Sequence, residues 1–302
     1  NTTGTCNVAI GVNSLDANTT ADSNTAVGHN ALSTVVTGTQ NTAVGRGSLA
    51  NATSGCNTAV GYNALVSLSS GHSNVAVGDL ALDAATQGHY NVGIGESALT
   101  TLTTGGENVA VGREALRDST SGDSNTAVGR GSLAGATNGD LNTSIGASSG
   151  ENVSSGDKNV FVGFESGAQG GMINITSEDN RFVAGHSTIT NAYVKVDWTV
   201  TSDERDKTNF GSIPHGLDFV NQLQPVSFQF RTARGEDTTA GGVRYGFKAQ
   251  DILALEKANG GSNVIIDDEF EDALKLTGGQ LVPVLVKAIQ ELKKEIDLLK
   301  NK

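Results

Sequence analysis

Side chains able to act as nucleophiles, bases or metal ligands are few here, and they are unevenly placed. The segment Thr201-Ser202-Asp203-Glu204-Arg205-Asp206-Lys207 crowds hydroxyls, carboxylates and cations together. A serine hydroxyl is a poor nucleophile unless a base takes its proton. The spacing of the five histidines suggests no Ser-His-Asp set. Taken alone, Ser202 reads as a capping residue and Lys207 as a solvated charge. No pair of carboxylates recurs in a way that suits glycoside hydrolysis. Cys6 and Cys56 each precede a repeated Asn by one residue, three repeats apart. At strand spacing that is roughly 14 Å, against the ~7 Å limit for a disulfide, so no bridge within the chain is expected. Two cysteines also exclude a disulfide scaffold or a zinc ribbon, and neither a metal nor a cofactor is expected.

The elements that hold these residues fall into two regions. The chain has 302 residues and a net charge of −12. Such acidity disfavours nucleic acid and anionic membrane surfaces as partners. No run of apolar residues is long enough to span a bilayer, and no signal peptide is visible. The start at Asn1, inside a repeat and without Met, reads as a fragment of something longer. Residues 1–202 carry 7 Lys+Arg and no Pro, whereas residues 203–302 carry 13 Lys+Arg and all 3 prolines. This sets a boundary near residue 202.

The first region is a repeat. Asn7, Asn24, Asn41, Asn57, Asn74, Asn91, Asn108, Asn125, Asn142 and Asn159 open ten copies of N-[TV]-[AGSF]-[VI]-G, spaced by 17 residues with a single 16. A Leu follows four residues after that Gly in eight copies and becomes Gly150 and Gly167 in the last two, so a change of character is expected there. A fixed short period signals stacked units. Glycine disfavours helix interiors, and the Thr/Val-Ala-Val run alternates like a strand. Each copy therefore reads as one coil of a parallel β-solenoid, and ten coils span roughly 48 Å. The repeated Val/Ile and Leu are expected to form internal ladders. The Asn is expected to form a hydrogen-bonded ladder. The Gly marks a corner of positive φ or a close backbone approach. The position after the Gly varies freely (Val12, His29, Arg46, Tyr62, Asp79, Glu96, Arg113, Arg130, Ala147, Phe164), which implies an outward face.

A coil this small buries little, and oligomerisation is a remedy for small cores. Several chains are expected to wrap along one axis. The repeat resembles the head repeats of trimeric autotransporter adhesins, which form trimeric left-handed β-rolls, and it is similar to repeats of phage tail fibres. The next residues read as a β neck, with strands at Ile173–Thr176, Arg181–Ala184 and Ala192–Val200. Gly170-Gly171 is a hinge, and Asn180–Gly185 reads as a degenerate eleventh coil. Trp198 is expected to pack under the following domain.

In the last hundred residues Ser202-Asp203-Glu204-Arg205-Asp206-Lys207 is followed by a helix at Gly216–Leu223 and a strand at Pro225–Arg231. Then come Gly246-Phe247-Lys248-Ala249-Gln250-Asp251 and Leu285-Val286-Lys287-Ala288-Ile289-Gln290-Glu291-Leu292. Together these resemble the self-cleaving intramolecular chaperone domain of endosialidase-type phage tailspikes, also found in the myelin regulatory factors. The family motifs are S-D-x-R-x-K, G-F-x-A-Q-[ED] and L-x-x-A-I-Q-E-L. The resemblance implies that Ser202 and Lys207 form a Ser–Lys dyad that cuts the chain after trimerisation. Asp203, Arg205, Gly246, Phe247, Ala249 and Gln250 are the other motif positions. A neutral lysine can take the serine proton where desolvation favours that form. The bond cut is expected to be Thr201–Ser202, through a five-membered ring, or else Ser202–Asp203. In the final helix Val282, Leu285, Ile289, Leu292, Ile296 and Leu299 recur at 3-4 spacing as a coiled-coil seam.

The expected architecture is mainly β. Residues 1–169 form a trimeric β-solenoid shaft and 170–202 a neck. Residues 203–302 form a small α+β chaperone domain with a long C-terminal helix. The resemblance implies a distal tail-fibre or tailspike fragment of a virion, assembled in host cytoplasm. Its partners would be its own copies in a homotrimer and a host receptor, glycan or outer-surface protein. Its only chemistry would be self-cleavage. The competing readings are a bacterial surface adhesin and the stalk of a polysaccharide-degrading tailspike; ice binding is the most distant.

Overall fold

The computed structural model describes residues 2–195, 202–232, 235–260, 264–269 and 274–301. The chain divides into two compact units, Asn1–Ser187 and Thr188–Lys302.

The first unit is a parallel β-solenoid. Its three-residue strands are β1 (Val8–Ile10), β2 (Thr25–Val27), β3 (Thr42–Val44), β4 (Thr58–Val60), β5 (Val75–Val77), β6 (Val92–Ile94), β7 (Val109–Val111), β8 (Thr126–Val128), β9 (Thr143–Ile145), β10 (Val160–Val162) and β11 (Phe182–Ala184). They form one sheet in chain order. Every pairing is parallel and keeps the repeat in phase, Thr25 beside Thr42 and Val109 beside Thr126. The eleventh coil at Phe182 pairs with Val160.

The interior differs from the sequence expectation. Alternation in a strand puts the middle residue on one face and its two neighbours on the other. The middle residue is the buried one: Ala26, Ala43, Ala59, Ala76, Ala110 and Ala127 are fully enclosed. The Val/Ile of the third position therefore lines the outer face instead of an internal ladder, and Ile10 is 61% exposed. The Leu ladder is internal, from Leu15 to Leu133. A further internal column, Val35, Ala52, Leu68, Ala85, Leu102, Ala136, Val153 and Ile175, completes the core.

Each ladder leucine sits in the left-handed region, with φ between 49° and 55°. That conformation costs an L-residue roughly 1–2 kcal/mol. Full burial of a leucine returns about 1.5–3 kcal/mol, so the strain is tolerated. At Gly150 and Gly167 the backbone keeps a positive φ, while the coils change character there as the sequence suggested: the interior is refilled and the tenth coil is lengthened. A Cβ on Gly150 would lie 2.9 Å from Phe161 Cδ2. Phe161, fully buried in place of the usual Ala, fills the volume that the missing leucines leave.

The Asn ladder is present and buried. Asn108 Oδ1 accepts from the Asn125 backbone N–H at 2.9 Å and from Asn125 Nδ2 at 3.2 Å. Asn108 Nδ2 donates to the Gly122 carbonyl at 2.7 Å. The glycine after each strand meets both expectations at once. Gly112 has φ +133°, and a Cβ there would lie 2.6 Å from the Gly129 carbonyl oxygen. The variable position that follows is exposed in nine of the ten copies and half-buried at Ala147. Cys6 and Cys56 share one corner, both at positive φ, and both are free and exposed.

Gly170 and Gly171 lie within the tenth coil, which is lengthened so that Val160 pairs with Phe182. Ile173–Thr176 is not a strand, because Ile175 turns inward as the last member of the third core column. Ala192–Lys195 carries no strand; the rest of that run, with Trp198, lies outside the described residues.

The second unit is a small α+β domain. It contains α1 (Leu217–Gln222), the antiparallel pair β12 (Val226–Arg231) and β13 (Thr239–Gly246), α2 (Ala249–Ala258), the short pair β14 (Ile266–Asp267) and β15 (Lys275–Leu276), and the 20-residue α3 (Leu281–Lys300). Pro225 precedes β12, where its missing N–H breaks no ladder bond. Pro283 falls in the first turn of α3, where the N–H has no helical partner to lose. The core gathers Phe219, Ile252, Ile265, Ile266, Leu281 and Val284.

Candidate functional site

Ser202 and Lys207 meet. Lys207 Nζ donates to Ser202 Oγ at 2.6 Å and lies 3.4 Å from the Ser202 carbonyl oxygen. A one-turn 3-10 helix at Glu204–Asp206 folds the intervening chain. Asp203 stands at its N-cap, with Oδ1 accepting the Arg205 N–H at 2.9 Å. The Arg205 guanidinium grips the same carboxylate, Nε to Oδ1 at 3.0 Å and Nη2 to Oδ2 at 2.6 Å. Arg205, helped by its own N–H, holds the Asp203 carboxyl below the usual carboxylate range, and Asp203 in turn raises Arg205. Ser202 and Lys207 are both exposed. Thr201, on the other side of the expected scissile bond, lies outside the described residues. A hydroxyl and an amine at this distance have the geometry of a nucleophile and its base.

The second motif joins β13 to α2. Gly246 ends β13 opposite Val226, and a Cβ there would come within 3.0 Å of the Phe228 ring. Phe247 and Ala249 pack against the core, while Gln250 is exposed in the first turn of α2. These four residues take no part in the Ser202–Lys207 hydrogen bond or the Asp203–Arg205 pair; Gly246, Phe247 and Ala249 help to build the domain.

The third motif lies on α3, whose two apolar faces have different fates. Leu281, Val284 and Ala288 are buried in the domain. Val282, Leu285, Ile289, Leu292, Ile296 and Leu299 are all exposed, Ile289 by 65%. Between the faces, Glu291 Oε2 accepts the Leu217 N–H at the start of α1 at 2.7 Å, and Lys287 Nζ donates to the Ile213 carbonyl at 2.6 Å. The Leu217 N–H, with burial opposing and Lys287 assisting, holds the Glu291 carboxyl below its usual range.

Sequence reasoning missed Glu256. It is fully buried on α2, and its carboxylate accepts the N–H groups of Val264, Ile265 and Ile266 at 3.0–3.1 Å. The available signal was a carboxylate among the apolar positions of α2. It secures the start of β14 and has no contact with the dyad.

Among the described residues there is no group of three His, Cys, Asp or Glu that could hold a metal. None of the described helices is long and apolar enough to cross a membrane. No curated protein and no solved structure matches the chain. The family model described as the chaperone of endosialidase matches residues 202–260, the stretch that begins at Ser202 and closes just after α2.

Proposed function

We propose that the chain belongs to a trimeric tail-fibre- or tailspike-like protein. The solenoid is the shaft used in host attachment. The C-terminal unit brings three chains together and is then released by cleavage beside Ser202. The observation that carries this reading is the 2.6 Å contact of Lys207 Nζ with Ser202 Oγ at the head of the matched segment.

Self-association is supported by two unpartnered apolar surfaces. One is the α3 seam, Val282 to Leu299. The other is the outer face of the solenoid sheet, where Ile10, Val44, Ile94, Val128, Ile145 and Val162 are exposed. Contiguous exposed apolar surface marks an interaction site, and the seam spacing suits a helical bundle. The variable exposed column after the strand glycines supplies a surface for a host glycan or outer-surface protein.

In the cleavage step Ser202 Oγ attacks the carbonyl carbon of Thr201 while Lys207 takes the hydroxyl proton. The peptide C–N bond breaks, the Ser202 nitrogen receives a proton, and an ester joins Thr201 to Ser202 Oγ. Water then hydrolyses the ester to a Thr201 carboxylate and a free Ser202 hydroxyl. A lysine acts as base where burial favours its neutral form. In the single chain this segment is exposed, so assembly around it supplies the burial and ties the cut to the trimer.

The test is intact mass and denaturing gels on the wild type beside Ser202→Ala and Lys207→Ala. Wild type should split next to Ser202 while both variants stay whole and trimeric. Cleavage that persists in Ser202→Ala would assign the nucleophile elsewhere. A wild-type trimer that stays whole would leave the domain as a permanent trimerisation cap.

A further inference from the structure

We propose that Asp203 is the positioning residue of the dyad: by capping the Glu204–Asp206 turn and anchoring Arg205, it carries Lys207 back onto Ser202. This deepens the cleavage reading of Ser202 and Lys207 and rests on it.

Five residues in extended form would separate Ser202 from Lys207 by roughly 17 Å. Only a tight turn brings the amine onto the hydroxyl. A single 3-10 turn has a short rise per residue, but nucleating one turn is unfavourable for an isolated segment. Asp203 offsets that cost. Its backbone is extended, at φ −67° and ψ 136°, as an N-cap requires, and its Oδ1 receives the Arg205 N–H. The turn then closes on the backbone, with the Lys207 N–H donating to the Glu204 carbonyl at 3.1 Å.

Arg205 has a second effect. Its planar fork engages both Asp203 oxygens, a geometry that lysine cannot copy. The neighbouring carboxylate is thereby occupied, and among the described residues the Lys207 amine hydrogen-bonds to Ser202. A lysine held instead by a carboxylate would be kept in its charged form. The motif spacing follows from this geometry: the cap stands directly after the nucleophile, its anchor two residues on, and the base four residues after the cap.

The experiment follows cleavage of the full chain over time, with trimer content measured on the same samples. Losing an N-cap should slow Asp203→Ala about tenfold relative to wild type. Asp203→Asn and Asp203→Ser, which keep an acceptor oxygen, should recover most of the rate. The pH midpoint of cleavage should stay where it is in wild type, because the cap sets how often the pair meets and not how the base titrates. Trimers of Asp203→Ala that cleave at the wild-type rate would overturn the proposal while leaving the dyad standing. If Asp203→Ala fails to assemble, assembled Asn and Ser variants that cleave no faster than a Lys207→Ala control overturn it equally. Wild type that never cleaves would remove the reading beneath. Amide exchange then still decides the cap, since the Arg205 amide must exchange faster in Asp203→Ala than in wild type.

Discussion

At the scale of single residues, the molecule repeatedly accepts local strain where burial exceeds its cost. The ladder leucines are the clearest case, and Gly150 with Phe161 shows the same balance reached from the other side. Phe161→Ala should destabilise the solenoid by about 3–5 kcal/mol through the cavity it leaves. Gly150→Leu alone should also destabilise, because the new side chain meets the Phe161 ring. The double variant Gly150→Leu with Phe161→Ala should recover much of both losses, since it restores the Leu and Ala pairing of earlier coils. Thermal unfolding of the four proteins checks this, and simple additivity would contradict it. Glu291 gives a pH prediction. Its folded-state value lies below the ordinary carboxylate value of 4.5. The stabilisation is therefore present above the unfolded value and is lost as pH falls through the lower, folded one. The chaperone unit should lose melting temperature as acidity increases below about pH 4.5, and Glu291→Gln should flatten that decline.

At the scale of elements, α3 has one face in its own domain and one face bare. Ile289→Asp should leave the domain folded, because Leu281, Val284 and Ala288 still fill the core, while sedimentation velocity shows the trimer weakened or lost. A trimer unaffected by this change would remove the seam from the interface. The same element shows what a sequence can and cannot disclose. The 3-4 spacing of Val282 to Leu299 was legible as one apolar stripe of the helix, which is exposed; the helix at Gly216–Leu223 and the strand at Pro225–Arg231 were legible too. The sequence was silent on the second, buried stripe of α3, because both stripes are apolar. In the solenoid the repeat gave the strand, the Asn ladder and the glycine corner correctly. It misled on which face looks inward, since Val and Ile are more apolar than Ala. The narrow coil decides the matter by volume: leucines from the facing wall leave room only for Ala, Gly or Ser. The exception was a readable clue, because Phe161 appears only where leucine has become glycine. Of the candidate site, the residues were legible from their motif. The turn that joins them was not, because it depends on a cap and an ion pair two residues apart.

At the scale of the whole molecule, the proposed sequence of assembly and then release predicts an asymmetry in refolding. Pairing identical strands across chains invites slipped registers, and a domain that associates first removes that freedom. Once the domain has been cut away, the shaft should be held kinetically. Cleaved protein heated past its transition and cooled should fail to recover trimer, whereas Ser202→Ala treated identically should recover it. Equal recovery would mean that the C-terminal unit is dispensable for folding. The in-phase pairing of every strand has one more consequence. Because Asn, Gly and Leu each meet their own kind in the next coil from Leu15 to Leu133, a coil within that stretch can be removed or duplicated whole without disturbing its neighbours. The reach of the solenoid is thus quantised, a ruler graduated in steps of about 4.8 Å, and unequal recombination between repeats can lengthen or shorten it by whole marks only.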